Sequence, residues 1–301
     1  MTPEEQQLIS LYAGEALRVS VPLILTFAGY GGFVLGFIIA VRSLTIRESW
    51  GRPQIILLVC LVTILVCFTW EGLYNGAVFL TSDRYTFAQT SEQGLAAQAQ
   101  AALKKVKIWE FMSDWPATIN NLLSDGIVVW RAWCLSQQDR YWRLTLALLM
   151  IANIGVNVAD CIWGDLGMAL SSPAILDWIL SAISLIVNMV ATILFACKAW
   201  AYHQYIAGLN SSSARNGTWA ENILHLLIES GVVFCAVQSI YIVIAVLGAY
   251  NIITSLWPLD TIIAINEIAA ACYPVAVIAL VPRIQTNNIS ILHGQSRALT
   301  A

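Results

Sequence analysis

FMSDWPATINNLLSDGIVVW, residues Phe111 to Trp130, is long enough to cross a bilayer, yet it carries two aspartates, two asparagines and a proline. Whether it crosses decides the fold. Ionisable groups in hydrocarbon are costly, so where they persist they face a protein interior or a wet cavity. On a helix, residues at i, i+4, i+7 and i+11 share a face. Asp114, Thr118, Asn121 and Asp125 have this spacing and Glu110 extends the row backwards, while Met112, Trp115, Ile119, Leu122, Leu123 and Trp130 form the opposite face. A loop has no reason to segregate its residues in this way. An interfacial amphipathic helix would carry Lys and Arg on its polar side, and this one does not. The stretch reads as a membrane helix buried among others.

The rest of the chain demands such a bundle. Of 301 residues, 58% are hydrophobic and 11% charged, with mean hydropathy +0.72. A soluble domain carries roughly a quarter charged residues. A net charge of −3 excludes a nucleic-acid partner; the expected partner is the lipid bilayer. The 12 tryptophans suit interfacial anchoring. The seven cysteines show no CxxC spacing and sit largely in apolar runs, as small buried hydrophobes do. No metal site, cofactor or disulfide framework is expected. The N-terminus lacks a basic n-region, so its first apolar run reads as an uncleaved anchor.

A bilayer core takes about 20 residues of helix. Candidate spans run at roughly Val19–Val41, Ile55–Leu80, Ile108–Cys134, Leu144–Trp163, Ile175–Trp200, Ile223–Tyr250 and Leu259–Val281. The expected class is all-α, a polytopic seven-helix membrane bundle without internal repeat. It comprises an extracellular segment 1–18, a transmembrane domain 19–281 and a cytosolic polar tail 282–301. Gly94–Lys105 reads as a short helix in the second loop.

Orientation follows from Lys and Arg. With the N-terminus outside, the inner side holds Arg42, Arg47, Arg52, Arg131, Arg140, Arg143, Lys198, Arg215, Arg283 and Arg297. The outer side holds Arg18, Arg84, Lys104, Lys105 and Lys107. Ten against five favours N-out and C-in, with the plasma membrane as the expected location. If the third segment did not span, six helices would leave both termini inside and the bias would become twelve against three. The one-sided polar row is the reason to prefer seven. Sequons at Asn210, Asn216 and Asn288 fall on the inner side, where they would stay unmodified.

The fourth span repeats the polar face in miniature with Asn153, Asn157 and Asp160. Because the third and fourth spans run antiparallel, Asn121 and Asp125 should lie at the depth of Asn153 and Asn157, with Asp114 and Asp160 nearer the outside. Glu71, Asp177, Asn188, Glu229, Gln238, Asn266 and Glu267 add polar groups to other spans. Interhelical hydrogen bonding explains many such residues. For the carboxylates of the outer half, no inward-facing cation is in sight, so they must be protonated, hydrated or neutralised by a cation. Asp114, Asn121, Asp125, Asn153, Asn157, Asp160, Glu71 and Glu267 are therefore the candidate lining of an outward cavity for a small cationic or hydroxyl-rich ligand. At the inner end, Arg131 closes the third helix, and Glu229, placed in the first turns of the sixth, is the candidate partner of a switch latch; Arg131 could equally snorkel to lipid phosphate. Tyr273–Pro274 marks a kink in the seventh helix, and Pro116 invites the same reading in the third.

Seven spans, N-out, a polar core and Arg131 at the inner end of the third helix resemble a G-protein-coupled-receptor-type bundle. That resemblance implies a small-ligand receptor with a cytosolic effector such as a G protein. The sequence departs from rhodopsin-like receptors at Val129, Trp130, Arg131, Ala132 and Trp133, where those carry Asp/Glu-Arg-Tyr. It also has Cys272 and Tyr273 before Pro274 instead of Asn-Pro-x-x-Tyr, and its seventh span has no lysine for retinal. INNLLSDGIVVWRAWCL (Ile119 to Leu135), followed by Tyr141–Arg143, is more closely similar to a group of uncharacterised seven-helix proteins of mushroom-forming fungi. This resemblance covers nearly the whole chain and implies fold and membrane location, with no activity. A transporter or channel using the same carboxylates is the alternative. An enzyme is not expected: His203, His225 and His293 form no cluster, and GxSxG and HExxH are absent.

Overall fold

The computed structural model describes residues 3–45, 51–84, 105, 114–136, 139–165, 173–208, 214–250 and 257–298. These fold into seven long helices: α1 (Pro3–Thr45), α2 (Arg52–Asp83), α3 (Asp114–Leu135), α4 (Arg140–Asp165), α5 (Pro173–Gly208), α6 (Ala214–Ala249) and α7 (Trp257–Ala298). Among the described residues there is no strand. All helices except α3 are long and apolar enough to cross a membrane. The chain is an all-helical, multi-pass membrane protein.

Each helix packs on the next, and α7 returns to α1, so the seven close into a ring. α3 departs furthest from simple neighbour packing. Besides α2 and α4 it touches α5 and α7, which places it across the middle of the bundle. Its residues join both apolar cores. Ile127 packs with Phe33 of α1, Phe68 of α2 and Ala271 of α7. Val128, Val129 and Ala132 pack with Leu146, Phe195, Phe234 and Tyr273 of α4 to α7. The outside of the ring is greasy instead: Val66 and Ile151 stand 62% and 66% exposed. Such an apolar exterior needs lipid as its solvent.

Close approach of α1 and α7 closes the ring. A Cβ on Gly29 would fall 2.6 Å from Ile268 Cγ1, and one on Gly36 would fall 2.8 Å from Val275 Cγ1. Only the bare backbone of glycine fits at these two points, which lie on one stripe of α1 two turns apart. On the α2 side, Phe33 meets Phe68 edge-on at 5.4 Å and Tyr30 Oη shares a hydrogen bond with Thr69 Oγ1 at 2.8 Å.

The helices overrun their apolar stretches. α1 begins within the segment expected as extracellular, α6 starts at Ala214, before Ile223, and α7 continues through Pro282 to Ala298. Hydropathy marks where lipid ends, whereas a helix goes on for as long as its backbone bonds stay made. Pro116 stands in the first turn of α3, where its missing N–H would have had no partner anyway, so no kink is called for there. Residues 108–113 of the expected third span lie outside the described residues, as does Gly94–Lys105 apart from Lys105.

Candidate functional site

α3 is rich in polar side chains at intervals of three and four, and the bundle turns them inward. Asn120 and Ser124 are fully buried and Asp125 is 2% exposed. Asp125 is the hub. Its Oδ2 accepts from Asn153 Nδ2 of α4 at 2.8 Å and from Ser184 Oγ of α5 at 2.6 Å, and its Oδ1 accepts from Asn188 Nδ2 of α5 at 2.8 Å. α6 joins through Gln238, whose Nε2 donates to Ser184 Oγ at 2.9 Å and whose Oε1 accepts from Asn188 at 3.3 Å. Asn157 donates to the backbone and side-chain oxygens of Asn153 at 2.8 and 3.0 Å. The carboxylate thus joins α3 to α4 and α5 directly and to α6 through Ser184 and Asn188.

A cavity of about 40 Å³ opens beside the hub. Asn121 and Asp125 border it from α3, Asn157 from α4, Ser184 from α5, Gln238 from α6 and Asn266 from α7. At roughly 10–15 Å³ for each water, it accommodates a few water-sized species and no organic molecule. Asn266 Oδ1 is buried and meets no hydrogen-bond donor among the described residues.

The expected antiparallel register of α3 and α4 is the one found, with Asp125 against Asn153 and, about two turns away, Thr118 Oγ1 accepting from Cys161 Sγ at 3.2 Å. Asp160 is half-buried beside Cys161 and does not line the cavity. Asp114 heads α3, but its side chain, like that of Asp177, lies outside the described ones.

Glu71 and Glu267 do not join Asp125. They form a second site, their carboxyl groups within hydrogen-bonding reach of each other between α2 and α7. Glu71 is 5% exposed, and its Oε2 meets no amide or hydroxyl donor among the described residues. The single polar seam expected from the sequence is thus two sites, and the adjacent residues Asn266 and Glu267 reach one each.

The expected Arg131–Glu229 latch is not formed: among the described residues no ion pair joins them. Because α6 starts at Ala214, Glu229 sits some four turns inside it. It is exposed and borders a groove of about 360 Å³ on the α6–α7 side. Arg131 instead lies near Tyr273, which stacks on Phe234 at 5.2 Å. Among the described residues, ion pairs join Arg18 of α1 to Asp260 of α7 at 3.0 Å and Lys198 of α5 to Asp139 of the α3–α4 connection at 2.8 Å.

Sequence reasoning missed Ser184, Asn120 and Ser124. The row Ser184, Asn188, Thr192, with spacing i, i+4, i+8, was the available signal for the first. In comparison with known proteins, the chain matches no protein-family model, no curated protein and no solved structure.

Proposed function

We propose that this is a seven-span, receptor-like protein of the plasma membrane, N-terminus outside and C-terminus in the cytosol, without an enzymatic role. It responds to a small ligand from the outer side by repacking the Asp125 junction. The observation that carries the reading is that one buried carboxylate accepts hydrogen bonds from α4 and α5 and, through Ser184 and Asn188, engages α6. Packed polar networks have discrete alternative arrangements, so a small shift at such a hub is amplified into helix movement. At 22 residues, α3 is about 33 Å long, enough for the roughly 30 Å core of a bilayer, which supports counting it as the seventh span. Movement of α5 and α6 would reach the inner face, where an effector such as a G protein would read it. The resemblance to the seven-helix proteins of mushroom-forming fungi belongs to this proposal.

A transporter or channel is the second reading, favoured by one observation: Asn266 and Glu267 place the Asp125 cavity and the Glu71–Glu267 pair side by side, as successive relay points would stand.

The test is a ligand screen by thermal stabilisation of purified protein, run in parallel on the wild type and Asp125→Asn. The expected hit raises the wild-type Tm and is weakened at least about tenfold by the substitution, the scale of a coupling near 1.4 kcal/mol. Flux of a hit across proteoliposomes would favour transport, and hits indifferent to Asp125 would move the site elsewhere.

A further inference from the structure

We propose that the Asp125 cavity is a binding site for a small monovalent cation of sodium size. The inference rests on the Asp125 junction being the working site of the protein, and it names what occupies that site. Three observations converge on it.

The first is charge. Asp125 is buried and its three donors, Asn153, Ser184 and Asn188, are all neutral. Among the described residues no Lys, Arg or His lines the cavity. Arg131, six residues further along α3, lies roughly 9 Å away along the axis and beside Tyr273. A buried carboxylate takes up a proton or finds a countercharge; three donors on its two oxygens favour the ionised form, and one carboxylate balances one positive charge.

The second is donor chemistry. The polar groups around the cavity are a carboxylate, the hydroxyls of Ser181 and Ser184, and carboxamides, the hard oxygens that suit alkali and alkaline-earth cations. Asp125 is the one carboxylate among the residues lining the cavity, and no His or Cys joins it there, short of the carboxylate set of a divalent site and of the softer set of a transition metal. Asn266 Oδ1, buried at this cavity from α7 without a donor to satisfy it, is an acceptor that a cation would use. Asn157 commits its amide N–H groups to Asn153, so the oxygen is the end it has to offer.

The third is size. A cavity of about 40 Å³ holds a small cation with about one or two waters. An organic ammonium would not fit. A cation held here would draw Asn266 of α7 towards a hub that already links α3 to α6, and so would add α7, which the hub's hydrogen bonds leave out.

The experiment measures the Tm of the purified full-length protein in NaCl, KCl and choline chloride at equal ionic strength, together with ²³Na NMR line broadening. The wild type should be stabilised by NaCl in a saturable manner, less by KCl and least by choline chloride, and should broaden the sodium line. Asp125→Asn should abolish both effects. Asn266→Ala, which leaves every hydrogen bond of the hub in place, should raise the half-saturating sodium concentration at least about tenfold while leaving the Tm in choline chloride near that of the wild type. Glu229→Gln should change nothing. Equal Tm in NaCl and choline chloride would overturn the proposal, as would a sodium response unchanged in Asn266→Ala or KCl acting as strongly as NaCl. A failed ligand screen with the sodium response intact would remove the receptor reading alone; a lost sodium response with ligand hits intact would remove this one alone.

Discussion

Asp125→Ala is expected to destabilise the bundle by about 2–4 kcal/mol. Interhelical hydrogen bonds in membranes average about 0.6 kcal/mol and reach about 1.7, and this carboxylate accepts three of them. Its removal also leaves the donors of Asn153 and Ser184 facing a void, while Asn188 keeps Gln238 Oε1 and the Ser184 carbonyl as acceptors. Asn157→Ala is the control, because among the described residues Asn157 bonds to Asn153 alone, and its loss should cost under about 1 kcal/mol. Thermal unfolding of both variants in one detergent or nanodisc provides the comparison. Equal shifts would mean that Asp125 is not the hub. Asp125→Asn should fall between the two: it keeps one acceptor oxygen but turns an amide donor towards groups that already donate.

Gly29→Leu is expected to cost about 3 kcal/mol, at the upper end of what overpacking imposes. Its Cβ alone would meet three carbons of Ile268 at 2.6 to 2.8 Å, so no single rotation of that side chain clears the space. α1 and α7 would have to separate, and their contact is what closes the ring of helices. Ile268→Ala supplies the missing room. The double variant Gly29→Leu/Ile268→Ala should therefore recover at least half of the lost Tm, although Ile268→Ala alone is destabilising. Two losses that simply add would show that the helices do not meet there.

The bundle itself was legible because lipid imposes length and apolarity on each span, and six helices carry that signal plainly. α3 was legible for a different reason. A polar row on one side of a helix has meaning only if that side is buried, and the same row set the α3–α4 register that brings Asp125 to Asn153. The sequence does not show how far α5 is rotated about its own axis, and that rotation makes Ser184 the shortest partner of Asp125. Serines abound in membrane helices and most bond to their own backbone, as Ser20, Ser230 and Ser239 do. Nor could spacing separate Glu71 and Glu267 from the Asp125 site, because residues adjacent in a helix face different neighbours and Asn266 and Glu267 divide between the two. The Arg131–Glu229 pairing failed because the start of α6 was placed where apolarity begins, nine residues after the helix does.

Everything built on Asp125 requires α3 to cross the membrane. Epitope tags on the two termini, probed in intact and then permeabilised cells, test this most directly. Seven spans predict an N-terminal tag accessible from outside and a C-terminal tag reached only after permeabilisation. Both tags on the same side would mean an even number of spans and would contradict the placement of Asp125 at the centre of a seven-span bundle.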